Sequence, residues 1–181
     1  ADLHVQLRSQ RPRQLTVFLI DTSDSMGNGP TVRMSAALGA IAALASRAYL
    51  NREQVCLITF RDRHAHVVVP PTDSVMRIRQ QLNRLPVGGA TPLAAGLQKA
   101  GQVISQARRK DRAVEPLLIL VSDGEATMPL HAGADPAQEA LEIARQMGQE
   151  AVPALIIDTT PGDRQRICMP RIAEAIGTKY Q

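Results

Sequence analysis

Leu15-Thr16-Val17-Phe18-Leu19-Ile20-Asp21-Thr22-Ser23-Asp24-Ser25 decides how the rest of this chain is read. Leu15 to Ile20 is apolar but for one Thr, with no polar alternation, which describes a strand buried on both faces. The run stops on a carboxylate, so Asp21 reads as a strand-end residue outside the core. Asp21, Ser23 and Ser25 then alternate, placing three oxygen-bearing side chains on one side of a loop.

Outward from that stretch, strands alternate with helices. Residues 31–50 are Ala-rich and apolar all round, a well-buried helix. Gln54 to Phe60 reads as a second strand and Ala65 to Val69 as a third. The short polar turn Arg61-Asp62-Arg63-His64 makes the pair a hairpin, so the third strand is an antiparallel edge. Pro70-Pro71 is expected to stop it. Residues 73–84 carry an amphipathic helical pattern. Gly88-Gly89-Ala90-Thr91-Pro92 is a loop, with Thr91 expected to cap the next helix and Pro92 to open it. That helix runs to about residue 109. Leu117 to Ser122 is a fourth strand ending at Asp123-Gly124. A helix over 136–148 follows, with Gly148 near its end, then a strand over 152–158 and a short helix around 172–176. Gly177-Thr178-Lys179-Tyr180-Gln181 reads as the beginning of a sixth strand, truncated. The fold class is α/β: a doubly wound, mostly parallel sheet in strand order 3-2-1-4-5, strand three antiparallel, helices on both faces. Residues 1–14 form a polar lead-in and 15–181 a single domain.

Composition bounds the function. A chain of 181 residues buries one core. Aromatics are 2%, namely Phe18, Tyr49, Phe60 and Tyr180, too few for a stacking platform for single-stranded nucleic acid. Residues 1–112 hold 16 Lys and Arg against 7 Asp and Glu, whereas residues 113–181 hold 5 against 10. That asymmetry suits an acidic protein partner; the tight cluster Arg108-Arg109-Lys110-Asp111-Arg112 reads as a polar helix end, and nucleic acid is not expected. No apolar run reaches the length of a membrane span. Cys56 and Cys168 lie far apart, which fits two reduced thiols in a cytoplasmic protein.

Sites in such sheets form just past the carboxyl ends of the strands. Asp21, Ser23, Ser25, Thr91 and Asp123 all fall there. Carboxylates and hydroxyls without imidazole or thiolate make a hard-oxygen set, which is what Mg²⁺ prefers. Simple helix capping explains each residue alone but not their shared placement at one sheet edge.

Asp-x-Ser-x-Ser after strand one, Thr in a Gly-rich loop and Ser-Asp-Gly after a core strand together resemble the von Willebrand factor A domain, also called the integrin I-like domain, with its Rossmann-like fold. The resemblance covers Leu15 to Tyr180 and implies a metal-ion-dependent adhesion site at the five residues named. Further stretches are similar to the carboxy-terminal domain of the magnesium chelatase D subunit: Asn51-Arg52-Glu53-Gln54-Val55, Phe60-Arg61, Val69-Pro70-Pro71-Thr72, Leu85 to Ala94 and Asp123-Gly124-Glu125-Ala126. Asp24 stands where that family often has Gly, and Glu125 where it often has a basic residue. The resemblance implies a module without catalysis of its own. It would join an AAA+ ATPase subunit to the large catalytic chelatase subunit, through Mg²⁺ and a partner's acidic residue, in tetrapyrrole biosynthesis. The alternatives are an A-domain partner of a MoxR-type AAA+ ATPase in metal-centre assembly, and a cobalt chelatase subunit.

Rival motifs fit less well. Gly27-Asn28-Gly29 comes six residues after the strand and has Val32 in place of a third glycine, too late for a dinucleotide's phosphates. A haloacid-dehalogenase-like phosphatase also starts from Asp after a strand but needs an acid at position 23, which is Ser. Ser25 lacks a nucleophile elbow, and no Walker loop is present. His64-Ala65-His66 offers two imidazoles, but zinc needs a third ligand, such as His4 or His131.

Overall fold

The computed structural model describes residues 13–27, 32–160 and 168–178, with the backbone alone at 25, 27 and 32–36. The chain runs β1 (Gln14–Asp21), α1 (Asp24–Gly27), α2 (Val32–Leu50), β2 (Gln54–Arg61), β3 (His64–Thr72), α3 (Val75–Leu82), α4 (Leu93–Lys110), β4 (Glu115–Ser122), α5 (Pro136–Gln149), β5 (Ala154–Asp158) and α6 (Cys168–Ile176). The five strands form one sheet in the order β3-β2-β1-β4-β5. β1 pairs in parallel with β2, Val17 opposite Cys56, and with β4, Val17 opposite Leu118. β2 and β3 are antiparallel, and β4 and β5 parallel.

Side-chain alternation along the central strand sorts the core into two layers. Leu15, Val17 and Leu19 face a cluster with Leu97 and Ile104 of α4, Leu141 and Ala144 of α5, and Ile172 of α6. Phe18 and Ile20 face the other side, against Ile41 and Ala45 of α2 and Ile78 and Leu82 of α3. Both faces of β1 are therefore dry, which is why its sequence is a continuous apolar run. With so few aromatics, close approach between helices matters more. A Cβ at Gly148 would stand 2.5 Å from the Ala175 carbonyl oxygen. Gly148 lies near the end of α5, as expected, and lets α6 approach.

Two local expectations need correction. Pro70-Pro71 do not stop β3, which continues to Thr72. The pairing with β2 shifts register between Val55 and Ile58, opposite these prolines. An edge strand needs ladder donors on one side only, and an irregular register accommodates residues without an N–H. Nor does Thr91 cap α4: Pro92 occupies the cap position, and no side-chain cap bond forms. Asp135, by contrast, caps α5 by accepting from Ala137 N at 2.8 Å and Gln138 N at 3.1 Å.

Thr178 Oγ1 donates to the carbonyl of Ala154, the first residue of β5, at 2.6 Å. The expected sixth strand over 179–181, the lead-in over 1–12 and the Asn28-Gly29 part of the rival glycine motif lie outside the described residues.

Candidate metal centre

Strand order sets the site. The chain leaves β1 towards β2 and β3 on one side and later returns to β4 on the other. The carboxyl ends of β1 and β4 therefore flank the switch point where loops diverge and a crevice opens. Asp21 ends β1 there, and Ser122 ends β4 with Asp123 directly after it.

Asp21 is completely buried, contrary to its reading as a strand-end residue outside the core. Its Oδ1 accepts from Ser23 N at 2.9 Å and from Ser23 Oγ at 2.6 Å. Its Oδ2 accepts from Ser122 Oγ at 2.7 Å. Neither partner is a helix amide, so Asp21 is no helix cap. Ser122 Oγ in turn accepts from Gly124 N at 3.0 Å, which turns the chain after Asp123. Burial pushes the Asp21 carboxyl up to about 6. The Ser23 and Ser122 bonds pull the other way, and the charge of Asp123 adds to the rise. Two neighbouring carboxylates at one buried edge form a site whose own charge is unbalanced.

The glycine loop is stitched to this edge. Gly88 N donates to Thr22 O at 2.8 Å and Asp24 N to Gly89 O at 2.9 Å. On its other side Asp62 N, in the β2–β3 turn, donates to Ala90 O at 2.8 Å. Gly89 has a φ of +86°, and a Cβ there would fall 1.9 Å from Asp62 Oδ1. Only glycine suits both demands. Thr91 follows, nearly buried at 2% exposure. Its N–H donates to Thr127 Oγ1 at 2.8 Å, and its carbonyl accepts from Thr127 N and Met128 N at 3.1 and 3.2 Å. The Thr91 main chain is thus held in both directions. Asp123, 7% exposed, has its carbonyl tied by Thr160 Oγ1 at 2.9 Å, and its Oδ1 accepts from Glu125 N at 3.2 Å.

Of the five residues read from sequence, direct contacts and charge bring together Asp21, Ser23 and Asp123. Thr91 stands two residues beyond the Gly89 carbonyl that meets Asp24. Ser25 lies in α1, and its side chain is outside the described residues. Asp24, the acidic departure, is exposed beside Gly88. Sequence reasoning used Ser122 only as part of the Ser-Asp-Gly motif and gave it no role in the site, and it missed Thr127, which acts across 36 residues. Their side-chain bonds exist only once the sheet has formed.

The donors are carboxylate and hydroxyl oxygens, the set that suits a hard divalent cation. Ser23 Oγ gives its proton to Asp21, which turns the hydroxyl oxygen of Ser23 towards the same edge as the two carboxylates. The imidazole alternative is not assembled. The His64 and His66 rings stand 6.0 Å apart, and among the described residues no group of three His, Cys, Asp or Glu could hold a metal. His131 instead meets Glu139 at 2.7 Å, and His4 lies outside the described residues. Both cysteines are free thiols. Burial pushes Cys56 up to about 12 and also raises Cys168. Among the described residues no helix is long and apolar enough to cross a membrane.

Comparison with known proteins follows the same lines. Residues 16–125 match the von Willebrand factor type A domain family. The magnesium-chelatase 67 kDa subunit of Chlorobaculum parvum is 33% identical over 99% of this chain, which spans 30% of that subunit's length. The 60 kDa subunit of Rhodobacter capsulatus is 36% identical over 88% of this chain and 28% of its own. MJ0910 of Methanocaldococcus jannaschii is 32% identical over 84% of this chain and 87% of its own. Among solved structures, the SpRpn10 VWA domain superposes with a TM-score of 0.67 at 16% identity, covering 91% of this chain and 82% of that one. The manganese-loaded TRAP protein of Plasmodium vivax gives 0.66 at 16% identity, over 94% and 65%. The switch-point sheet, the loop order around Asp21, Thr91 and Asp123, and the sequence match over 16–125 converge: the chain belongs to the von Willebrand factor type A domain family.

Proposed function

We propose that this domain is a non-catalytic, Mg²⁺-dependent protein-interaction module of a magnesium-chelatase D-type subunit. In that role it couples an AAA+ ATPase ring to the large metal-inserting subunit in tetrapyrrole biosynthesis. One observation carries the reading. A fully buried Asp21, clasped by Ser23 and Ser122 beside Asp123, sits at the switch point of a chain similar along 99% of its length to a magnesium-chelatase subunit. The cytoplasm is the proposed setting, where free thiols at Cys56 and Cys168 persist.

The residues fit Mg²⁺. Ser23, Ser25 and Thr91 would offer hydroxyl oxygens, with Asp21 and Asp123 acting directly or through water. Bound there, Mg²⁺ supplies a hard position that takes an anionic oxygen from a partner's Asp or Glu. This chain's part is to hold and orient. Asp21 fixes the Ser23 hydroxyl from behind. Ser122 keeps Asp21 in place, and Thr127 with the Gly88-Gly89 turn sets the height of Thr91. The basic excess of residues 1–112 favours encounter with an acidic surface.

Pull-down of candidate AAA+ and catalytic chelatase subunits, with and without EDTA, tests the reading. Association should require Mg²⁺ and be lost in Ser25→Ala and Thr91→Ala. The isolated chain should show neither ATPase activity nor metal insertion. Binding indifferent to EDTA and to both substitutions would remove the metal bridge.

A second reading has its own support. MJ0910 is covered over 87% of its length, so this domain also occurs with little else attached. A stand-alone A-domain protein serving a MoxR-type ATPase fits that size. A cobalt chelatase subunit would use the same site. The phosphatase alternative gains nothing from the structure, because position 23 is a serine that donates to Asp21 instead of a second acid.

A further inference from the structure

The seam between α2 and α3 takes no part in the metal site, yet it exposes a cluster of large apolar side chains. Six large apolar side chains are notably exposed, and three of them meet here: Tyr49 at 59%, Leu50 at 79% and Met76 at 63%. With Val75 and Arg79 they line a hollow of about 520 Å³. On the other side of Arg79 a second hollow lies along the same two helices, lined by Ala42 and Gly39 of α2 and Leu82 of α3. A Cβ at Gly39 would meet nothing within 4 Å. From Gly39 to Leu50 the groove runs about 16 Å, three turns of helix. Large apolar groups at one end and small ones along the floor make a trough that admits a helix with anchors at i, i+3 or i+4, and i+7.

Charge selects the occupant. Arg47, Arg77 and Arg79 are exposed on these two helices, Arg84 follows just after α3, and neither α2 nor α3 contains Asp or Glu. Arg79 lies in the groove, where its guanidinium donates to Ser46 Oγ at 3.0 Å. A second copy of this chain would bring two arginine sets face to face, which like-charge repulsion opposes. A membrane surface suits a convex apolar face rather than a trough between two helices.

We propose that the α2/α3 groove docks an acidic amphipathic helix of a protein partner. The apolar face of that helix lies on Tyr49, Leu50, Val75 and Met76, and its carboxylates lie towards the flanking arginines. The contact is independent of the metal site.

The test titrates the isotope-labelled chain with a synthetic amphipathic peptide bearing leucine anchors and glutamate flanks, following backbone amide shifts. A twin with lysine flanks and vesicles containing phosphatidylserine serve as comparisons. The glutamate peptide should shift α2 and α3 resonances, in Mg²⁺ and in EDTA alike. Affinity should fall about tenfold or more for the lysine twin and for Gly39→Gln, Leu50→Glu and Met76→Glu. These positions are exposed, and Gly39→Gln adds helix propensity, so the fold is kept. Shifts elsewhere, equal binding of the lysine twin, preference for the vesicles, or no binding of the glutamate peptide would each overturn the proposal. Persistence in EDTA separates this outcome from that of the metal-bridge experiment.

Discussion

The two ends of the sheet bury different chemistry. At the carboxyl end, Asp21, Thr22, Ser23, Thr59, Thr91, Ser122, Asp123 and Thr160 are all buried. At the amino end Thr16 is the one buried polar residue described, and Gln54 and Glu115 meet water. Between the ends lie two layers of apolar side chains. Buried polar groups cost stability unless each is bonded, and a buried carboxylate costs more. A domain optimised for stability alone would not gather them at one edge. The contrast teaches that the carboxyl edge is shaped for a task and the apolar layers hold it together.

The largest expected effect lies in those layers. Phe60 is buried on β2 and packs against Gly96 of α4, where an added Cβ would stand 2.8 Å from the ring. Phe60→Ala should destabilise by about 3–5 kcal/mol in urea unfolding, through lost burial and a cavity. A loss below about 1 kcal/mol would erase the contrast between the regions.

Ser122→Ala at the carboxyl edge should cost about 2 kcal/mol, because Asp21 Oδ2 and Gly124 N both lose a buried partner. Equilibrium unfolding in EDTA reads this directly, and Mg²⁺ affinity should fall with it.

Asp21→Asn should do the reverse in metal-free protein. The folded-state carboxyl lies above its usual 3.8, at about 6, so folding favours the protonated form. Its contribution to stability is full below about pH 4 and lost as pH rises through about 6. In EDTA near pH 7.5 the variant should therefore be more stable, on the order of 1–2 kcal/mol, with the gain vanishing near pH 4. Thermal midpoints at the two pH values check it. Equal midpoints at both would show that the buried charge carries no penalty.

The smallest effect is expected on the rim. Arg61 lies 3.6 Å from Asp62, both partly exposed. Arg61→Ala should change stability by less than about 0.5 kcal/mol. A larger loss would mean that the rim, and not only the buried edge, holds the loops.

How far the molecule was legible follows the same division. Strand order and helix placement could be read because buried strands are apolar runs and the hairpin link is too short for any other geometry. The Pro70-Pro71 stop failed because a proline rule for central strands does not bind an edge with shifted register. Asp21, Ser23, Thr91 and Asp123 were visible as oxygens at strand ends. Ser122 was not, since its hydroxyl acquires a role only when β4 lies beside β1, 101 residues away. The separate expectation that Thr91 caps α4 failed, because Pro92 stands at the cap.

Calorimetric titration of Mg²⁺ into the chain, beside Asp21→Asn and Asp123→Asn, tests the central claim most directly. The account predicts one Mg²⁺ per chain for the unaltered protein and no detectable binding for either variant, both remaining folded. Unchanged Mg²⁺ affinity in Asp21→Asn and Asp123→Asn, or no binding to the unaltered chain, would contradict it.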